Sequence, residues 1–193
     1  MRKAEIERNT SETQIKVKIS LEGSGKSDIS TGVGFFDHML EAFAKHSGFD
    51  VSVEIKGDLG VDCHHTVEDA GICLGQAFAQ ALGDKSKIAR YGSFYVPMDE
   101  SLAFASVDIG GRAYFVFNGE FFQEKIGDFD TVTAVEFFRA FAFNALITLH
   151  LSAIYGENDH HKVEALFKAL ANALRIASAE TNETGIKSTK GML

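Results

Sequence analysis

The sequence predicts an internally duplicated α+β fold, a sandwich in which sheets and helices pack as layers. Three observations predict it. Hydrophobic periodicity switches repeatedly between the two-residue repeat of a strand and the 3.6-residue repeat of a helix. The order of these segments in the first half returns in the second. The motif His-His-x-x-Glu occurs twice, in "DCHHTVEDAG" and in "NDHHKVEALF", with the histidine pairs 96 residues apart.

The elements follow in order. "TQIKVKISLEG" alternates Ile15, Val17, Ile19 and Leu21 with polar residues, which predicts a half-buried strand. "GVGFFDHMLEAFAKHSG" carries apolar residues at helical spacing and closes on Gly48, a C-cap signal. "FDVSVEIKGD" alternates again, and "HHTVEDAGICLGQAFAQALG" reads as a long helix closed by Gly83. In the second half, "SLAFASVDIGGRAYFVFNGE" reads as two strands joined at Gly110-Gly111. "DTVTAVEFFRAFAFNA" is an amphipathic helix, "LITLHLSAIYG" a strand, and "HHKVEALFKALANALRIAS" a helix with Val163, Leu166, Phe167, Leu170 and Leu174 on its apolar face. The repeat is about 95 residues long, with its boundary near residues 90–93. It divides the chain into residues 1–90 and 91–193, each with one copy of the motif, packed as one unit. "GSGKS" at residues 23–27 resembles a phosphate-binding loop, but that motif needs glycine where Ser20 stands, so a hairpin turn is expected.

Composition narrows the function. A hydrophobic fraction of 45% and 17 phenylalanines supply a core for one domain of 193 residues. The formal charge of −8 speaks against nucleic acid as a partner, because a phosphate backbone needs a basic face. The longest apolar runs are broken by charges and are too short to span a bilayer, so no membrane partner is expected. Two cysteines, Cys63 and Cys73, provide no disulfide framework. With no apolar leader after Met1, a cytoplasmic protein is expected.

The repeated motif carries the chemistry. On a helix, positions three and four apart share a face, so Glu68 is within reach of His64 and His65, and Glu164 of His160 and His161. Adjacent imidazoles diverge by about 100° around the axis and can serve two different ions. Aligning the halves sets Glu136 opposite His38, and both residue types bind metals. His38, His64, His65, Glu68, Glu136, His160, His161 and Glu164 are therefore eight candidate ligands, enough for two sites. Packing about a pseudo-twofold axis would let each ion take one imidazole from each pair. Mixed nitrogen and oxygen donors suit Mn, Fe or Zn.

Taken together, "RNTSET", "TGVGFFDHML", "HHTVEDAGI", "RYGSFYVPMDESLA", "DIGGR", "EFFRAFAFNA", "NDHHKVEALFKA" and the terminal "STKGML" closely resemble the imidazoleglycerol-phosphate dehydratase family of histidine biosynthesis, in order, from Arg8 to Leu193. The resemblance implies the stand-alone form of the enzyme. It also implies a two-layer sandwich of two similar halves, each a four-stranded sheet covered by helices on one face, like the second domain of ribosomal protein S5. Two Mn(II) ions per active site are implied, as are 24 self-associated subunits with active sites between them. The metal ligands carry over as His38, His64, His65, Glu68, His160, His161 and Glu164. Many relatives have histidine where Glu136 stands, so Glu136 is either a ligand or a nearby base with water completing the coordination.

The implied substrate is an imidazole ring bearing a diol side chain and a phosphate. The hydrogen to be lost has no carbonyl beside it, so the ring must take up the electrons. A cation on each ring nitrogen favours the imidazolate, which can expel the adjacent hydroxyl to give a diazafulvene-like species. Loss of the neighbouring proton then gives an enol and the ketone. The resemblance makes Glu12 the general acid/base, although a glutamate before a strand is by itself an ordinary solvated residue. Glu68, Glu164 and Lys168 join it as catalytic candidates, and His46, Asp99 and Lys168 as substrate contacts. Lys168 lies one turn after Glu164 and could equally form a plain salt bridge with it. The substrate would also meet the histidines of the metal set. Arg90, Arg112, Ser188, Thr189 and Lys190 match the family's phosphate pocket, where arginine's planar fork suits phosphate oxygens. Two other readings use the same residues: a dinuclear metallohydrolase acting on a phosphate ester, and a non-catalytic metal-binding scaffold that leaves the arginines without a role.

Overall fold

The computed structural model describes residues 1–182. The first half runs β1 (Lys3–Asn9), β2 (Thr13–Ser20), β3 (Ser27–Ser30), α1 (Gly34–Ser47), β4 (Asp50–Gly57) and α2 (His64–Leu82). The second runs β5 (Tyr91–Met98), β6 (Ser101–Asp108), β7 (Tyr114–Asn118), a small β8–β9 hairpin (Lys125–Ile126 and Phe129–Asp130), α3 (Thr131–Asn144), β10 (Thr148–Tyr155) and α4 (Asp159–Ser178). The sheet orders are β1-β2-β4-β3 and β5-β6-β10-β7, the same topology twice. In each, the third strand runs parallel to the fourth and the other neighbours are antiparallel. No helix among the described residues is long and apolar enough to cross a membrane.

Five strands lie outside what periodicity predicts, and two of them, β8 and β9, have only two residues each. β1 alternates only between exposed and half-buried, and its charges belong to a sheet edge. β3 has four residues. β5 contains Pro97, which an edge strand tolerates because one row of its amides is unpaired. Two connections also differ from expectation. β2 and β3 are not paired, since β4 lies between them, so residues 21–26 cross over rather than turn a hairpin. Asp50 anchors that crossover by accepting the Ser24 and Lys26 N–H groups at 2.8 and 2.9 Å. Gly110-Gly111 likewise leads to a crossover, because β10 separates β6 from β7.

Each sheet buries one face against helices, and helices of opposite halves pack on one another, α1 on α4 and α2 on α3. The core is continuous across both halves. Phenylalanines tie it together: Phe36 of α1 meets Phe137 of α3 at 5.5 Å and Phe167 of α4 at 6.4 Å. Phe78 of α2 meets Phe141 of α3 at 5.8 Å. Such ring pairs contribute about 0.5–1.5 kcal/mol beyond the area they bury. Glycine lets α2 approach α3 closely. A Cβ on Gly71 would stand 2.6 Å from the Phe137 carbonyl oxygen, and one on Gly75 2.6 Å from that of Phe141.

All the histidine motifs end up at one pole. Phe129 packs on Phe35 (5.2 Å), which meets the His160 ring edge-on at 4.9 Å. The next residue, Asp130, donates its backbone N–H to the Cys63 sulfur, immediately before His64. The β8–β9 hairpin thus sits between the starts of α2 and α4.

Candidate metal and substrate site

Each motif opens a helix, where histidine and glutamate one turn apart face the same way. At α4, Glu164 is the centre. His160 Nε2 lies 3.2 Å and His38 Nε2 3.5 Å from its Oε2, while Lys168 Nζ contacts its Oε1 at 2.6 Å. His38, His160 and Glu164 offer three donor atoms within 4.8 Å of one another, the only such group among the described residues. His38 comes from α1 and the other two from α4, so both halves supply it. Burial pushes the Glu164 carboxyl up, but the Lys168 ammonium and the two imidazoles outweigh it and hold the group below its ordinary range. His46, on the same helix as His38, has its pKa lowered by burial and by the Lys168 charge.

At α2 the arrangement is sparser. His64 Nε2 lies 3.3 Å from Glu68 Oε2. Burial along the two helices puts His38 and Glu136 at matching positions, with Met39 and Leu40 answering to Phe137 and Phe138. Glu136, however, is paired with Arg139 one turn on. The second histidine of each pair points elsewhere. His65 Nδ1 is 3.0 Å from Asp58 and its Nε2 3.9 Å from Glu12; His161 Nδ1 is 2.8 Å from Glu100 and its Nε2 3.9 Å from Asp99. Among the described residues, no group of three donors joins an imidazole of one pair with an imidazole of the other. The expected pairing within one chain is therefore absent, because α2 and α4 each carry their own motif beside a different partner helix.

A family model described as imidazoleglycerol-phosphate dehydratase matches residues 31–174. The chain belongs to the imidazoleglycerol-phosphate dehydratase family. The enzyme of that name from Acetivibrio thermocellus is 58% identical over all of this chain and 99% of its own length. That from Methylorubrum extorquens is 57% identical over the full length of both. The crystal structure of the Staphylococcus aureus dehydratase superposes with a TM-score of 0.84 at 44% identity, covering 93% of this chain and 99% of that one. That of the Pyrococcus furiosus enzyme superposes at 0.85 with 38% identity, covering 97% and 100%.

In this dehydratase the candidate phosphate groups lie at the far pole. Arg90, in the left-handed region (φ 73°), grips Asp108 through Nε (2.7 Å) and Nη2 (3.1 Å), and its N–H donates to the Ala177 carbonyl. Ala177 follows His160 by 17 residues on α4, about 25 Å along the axis at ~1.5 Å per residue. Arg112 is exposed in the β6–β7 connection at that same end, where its carbonyl accepts the Thr148 hydroxyl. Ser188, Thr189 and Lys190 lie outside the described residues. Within one chain, then, metal donors and arginines cannot reach one small molecule together.

Sequence reasoning does not single out Asp58 and Glu100. The duplication could not have revealed them, because they hold equivalent histidines from non-equivalent places: Asp58 follows β4, whereas Glu100 lies in the β5–β6 turn. That turn puts Asp99 in the left-handed region (φ 48°), which aspartate tolerates.

Proposed function

We propose that this hydro-lyase of histidine biosynthesis converts imidazole glycerol phosphate to imidazole acetol phosphate with two Mn(II) ions per active site, in an assembly of 24 copies whose sites lie between subunits. The observation that carries the reading is the convergence of His38, His160 and Glu164 from both halves. Two imidazole nitrogens and a carboxylate suit Mn(II), Fe(II) or Zn(II), whereas Mg or Ca favours oxygen alone. Glu164 is nearly fully buried yet held ionised, as a ligand must be.

His38, His160 and Glu164 would hold one ion; His64 and Glu68, with Glu136 turned from Arg139, would contribute to the other; His65 and His161 add one imidazole each. When bound, the ions would let the substrate ring carry negative charge while its side chain loses hydroxide. Glu12, exposed beside His65, is the general acid/base that moves the carbon-bound proton and protonates the leaving hydroxyl. Lys168 keeps Glu164 ionised and has N–H groups to offer a substrate hydroxyl, and His46 and Asp99 would be further substrate contacts. Arg90, Arg112, Ser188, Thr189 and Lys190 would hold the phosphate.

The separation of Arg90 from the histidine pole supports sites shared between copies, since a second copy can bring its arginines to the first copy's metal donors. Exposed Tyr91 and Tyr95, with Ile154, on the outer face of the second sheet are the kind of apolar surface that an assembly covers. Free, buried Cys63 and Cys73 accord with a cytoplasmic location. The decisive experiment is metal removal. Protein stripped with a chelator should lose dehydratase activity and regain it with Mn(II); activity that survives complete removal overturns the reading.

A further inference from the structure

We propose that Asp58 and Glu100 are positioning residues that set the ring tautomer of His65 and His161, so that each imidazole presents Nε2 to a divalent cation. The inference rests on the two-ion reading and adds to it the groups that orient two of its ligands.

An ionised carboxylate can only accept hydrogen bonds. Asp58 lies 3.0 Å from His65 Nδ1 and Glu100 lies 2.8 Å from His161 Nδ1, so in each ring the Nδ1 must carry the hydrogen. A neutral imidazole then has its lone pair on Nε2. Among the described residues, neither of these Nε2 atoms is committed to a strong partner. His65 Nε2 is 3.9 Å from Glu12, and His161 Nε2 is 3.9 Å from Asp99, beyond hydrogen-bond range. The Asn158 amide, 3.5 Å from His161 Nε2, is at the limit, and as a donor it too needs the lone pair there. A histidine that donates one nitrogen to a carboxylate and leaves the other open is the arrangement that orients metal ligands.

A bland account treats both contacts as surface ion pairs. Two facts oppose it. His65 and His161 are equivalent in the duplication, but their carboxylates come from non-equivalent loops. The same contact at the same nitrogen has been built twice by different routes, which a shared inheritance of the motif does not explain. In addition, among the described residues the Asp58 carboxylate has His65 as its hydrogen-bond partner and caps no backbone amide. Glu100 does both jobs: its Oε1 accepts from Ser101 Oγ and from the N–H groups of Glu157 and Asn158, and its Oε2 accepts from His161.

This difference yields a sharp test. In Asp58→Ala, His65 loses its acceptor and is released to either tautomer. In Glu100→Gln, the amide oxygen is held by Ser101 and the two backbone N–H groups, so the NH2 faces His161 and drives its hydrogen to Nε2. Solid-state 15N spectra of histidine-labelled, metal-free full-length protein report the tautomer directly. The expected results are Nδ1–H at both histidines in the wild type, loss of that signature at His65 in Asp58→Ala, and its inversion at His161 in Glu100→Gln. Titration of the stripped proteins with Mn(II) should show one class of site weakened by roughly 10–100-fold in each variant. Wild-type protein that takes up no Mn(II) defeats the two-ion reading itself. Normal uptake with unchanged tautomers and affinities in both variants overturns only the positioning role.

Discussion

Glu136 and Glu164 show how far a single carboxylate's surroundings decide what it does. Glu164 is buried between two imidazoles and an ammonium; Glu136 is drawn off by Arg139. If Glu136 completes the second metal set, Glu136→Gln should lower the Mn(II) content of the purified protein, measured by elemental analysis. Unchanged content would mean that it acts beside the ion rather than on it. The HHxxE pairs were legible in the sequence because their geometry is local: one helical turn sets it, and no tertiary contact is needed. His38 was legible by a weaker route, through the match between the halves. Asp58 and Glu100 were not, because lone acidic residues in loops carry no periodic or repeated signal. Phe35, edge-on to His160, was hidden for the opposite reason: it reads as one more apolar residue at the start of an amphipathic helix.

At the scale of elements, the β8–β9 strands are too short to carry a period, and although the helices, the central strands and β7 followed from periodicity, β1, β3 and β5 did not. They are edge strands, so half or more of each faces water and the alternation fades. Each crossover reads as a hairpin in the sequence, because strand order is set by long-range pairing that a glycine-rich stretch cannot report. The α2–α3 contact makes a prediction of unusual sign. Gly→Ala inside a helix ordinarily stabilises by up to about 1 kcal/mol. At Gly71 the added methyl meets the Phe137 carbonyl, so Gly71→Ala should destabilise by about 1–3 kcal/mol. A Tm that rises in a thermal melt would refute the close packing. The crossover held by Asp50 makes another. The Ser24 and Lys26 N–H groups lower the pKa of Asp50 below its ordinary 3.8. A depressed carboxylate stabilises above its unfolded pKa and loses that contribution as pH falls through the folded value. Amide exchange at Ser24 and Lys26 should therefore stay slow at neutral pH and lose its protection only below about pH 3.8. Asp50→Ala should show fast exchange at neutral pH.

For the whole molecule, the governing fact is polarity: imidazoles at one end of α4, Arg90 at the other. If the ions are held where copies meet, chelation should loosen the assembly as well as stop turnover, and the sedimentation coefficient should fall and recover on adding Mn(II). An unchanged coefficient would mean that protein contacts alone hold the copies together. The shared helix layer has a further consequence, for ancestry. A chain ending near residue 90 would leave the inner faces of α1 and α2 in water, with Phe36, Phe43 and Phe78 stripped of their partners across the layer. A half-length forebear could persist only by embracing a twin, and fusion of the two genes would have turned that encounter between molecules into a tether within one. Split at the α2–β5 connection and coexpressed, the two pieces should find each other again.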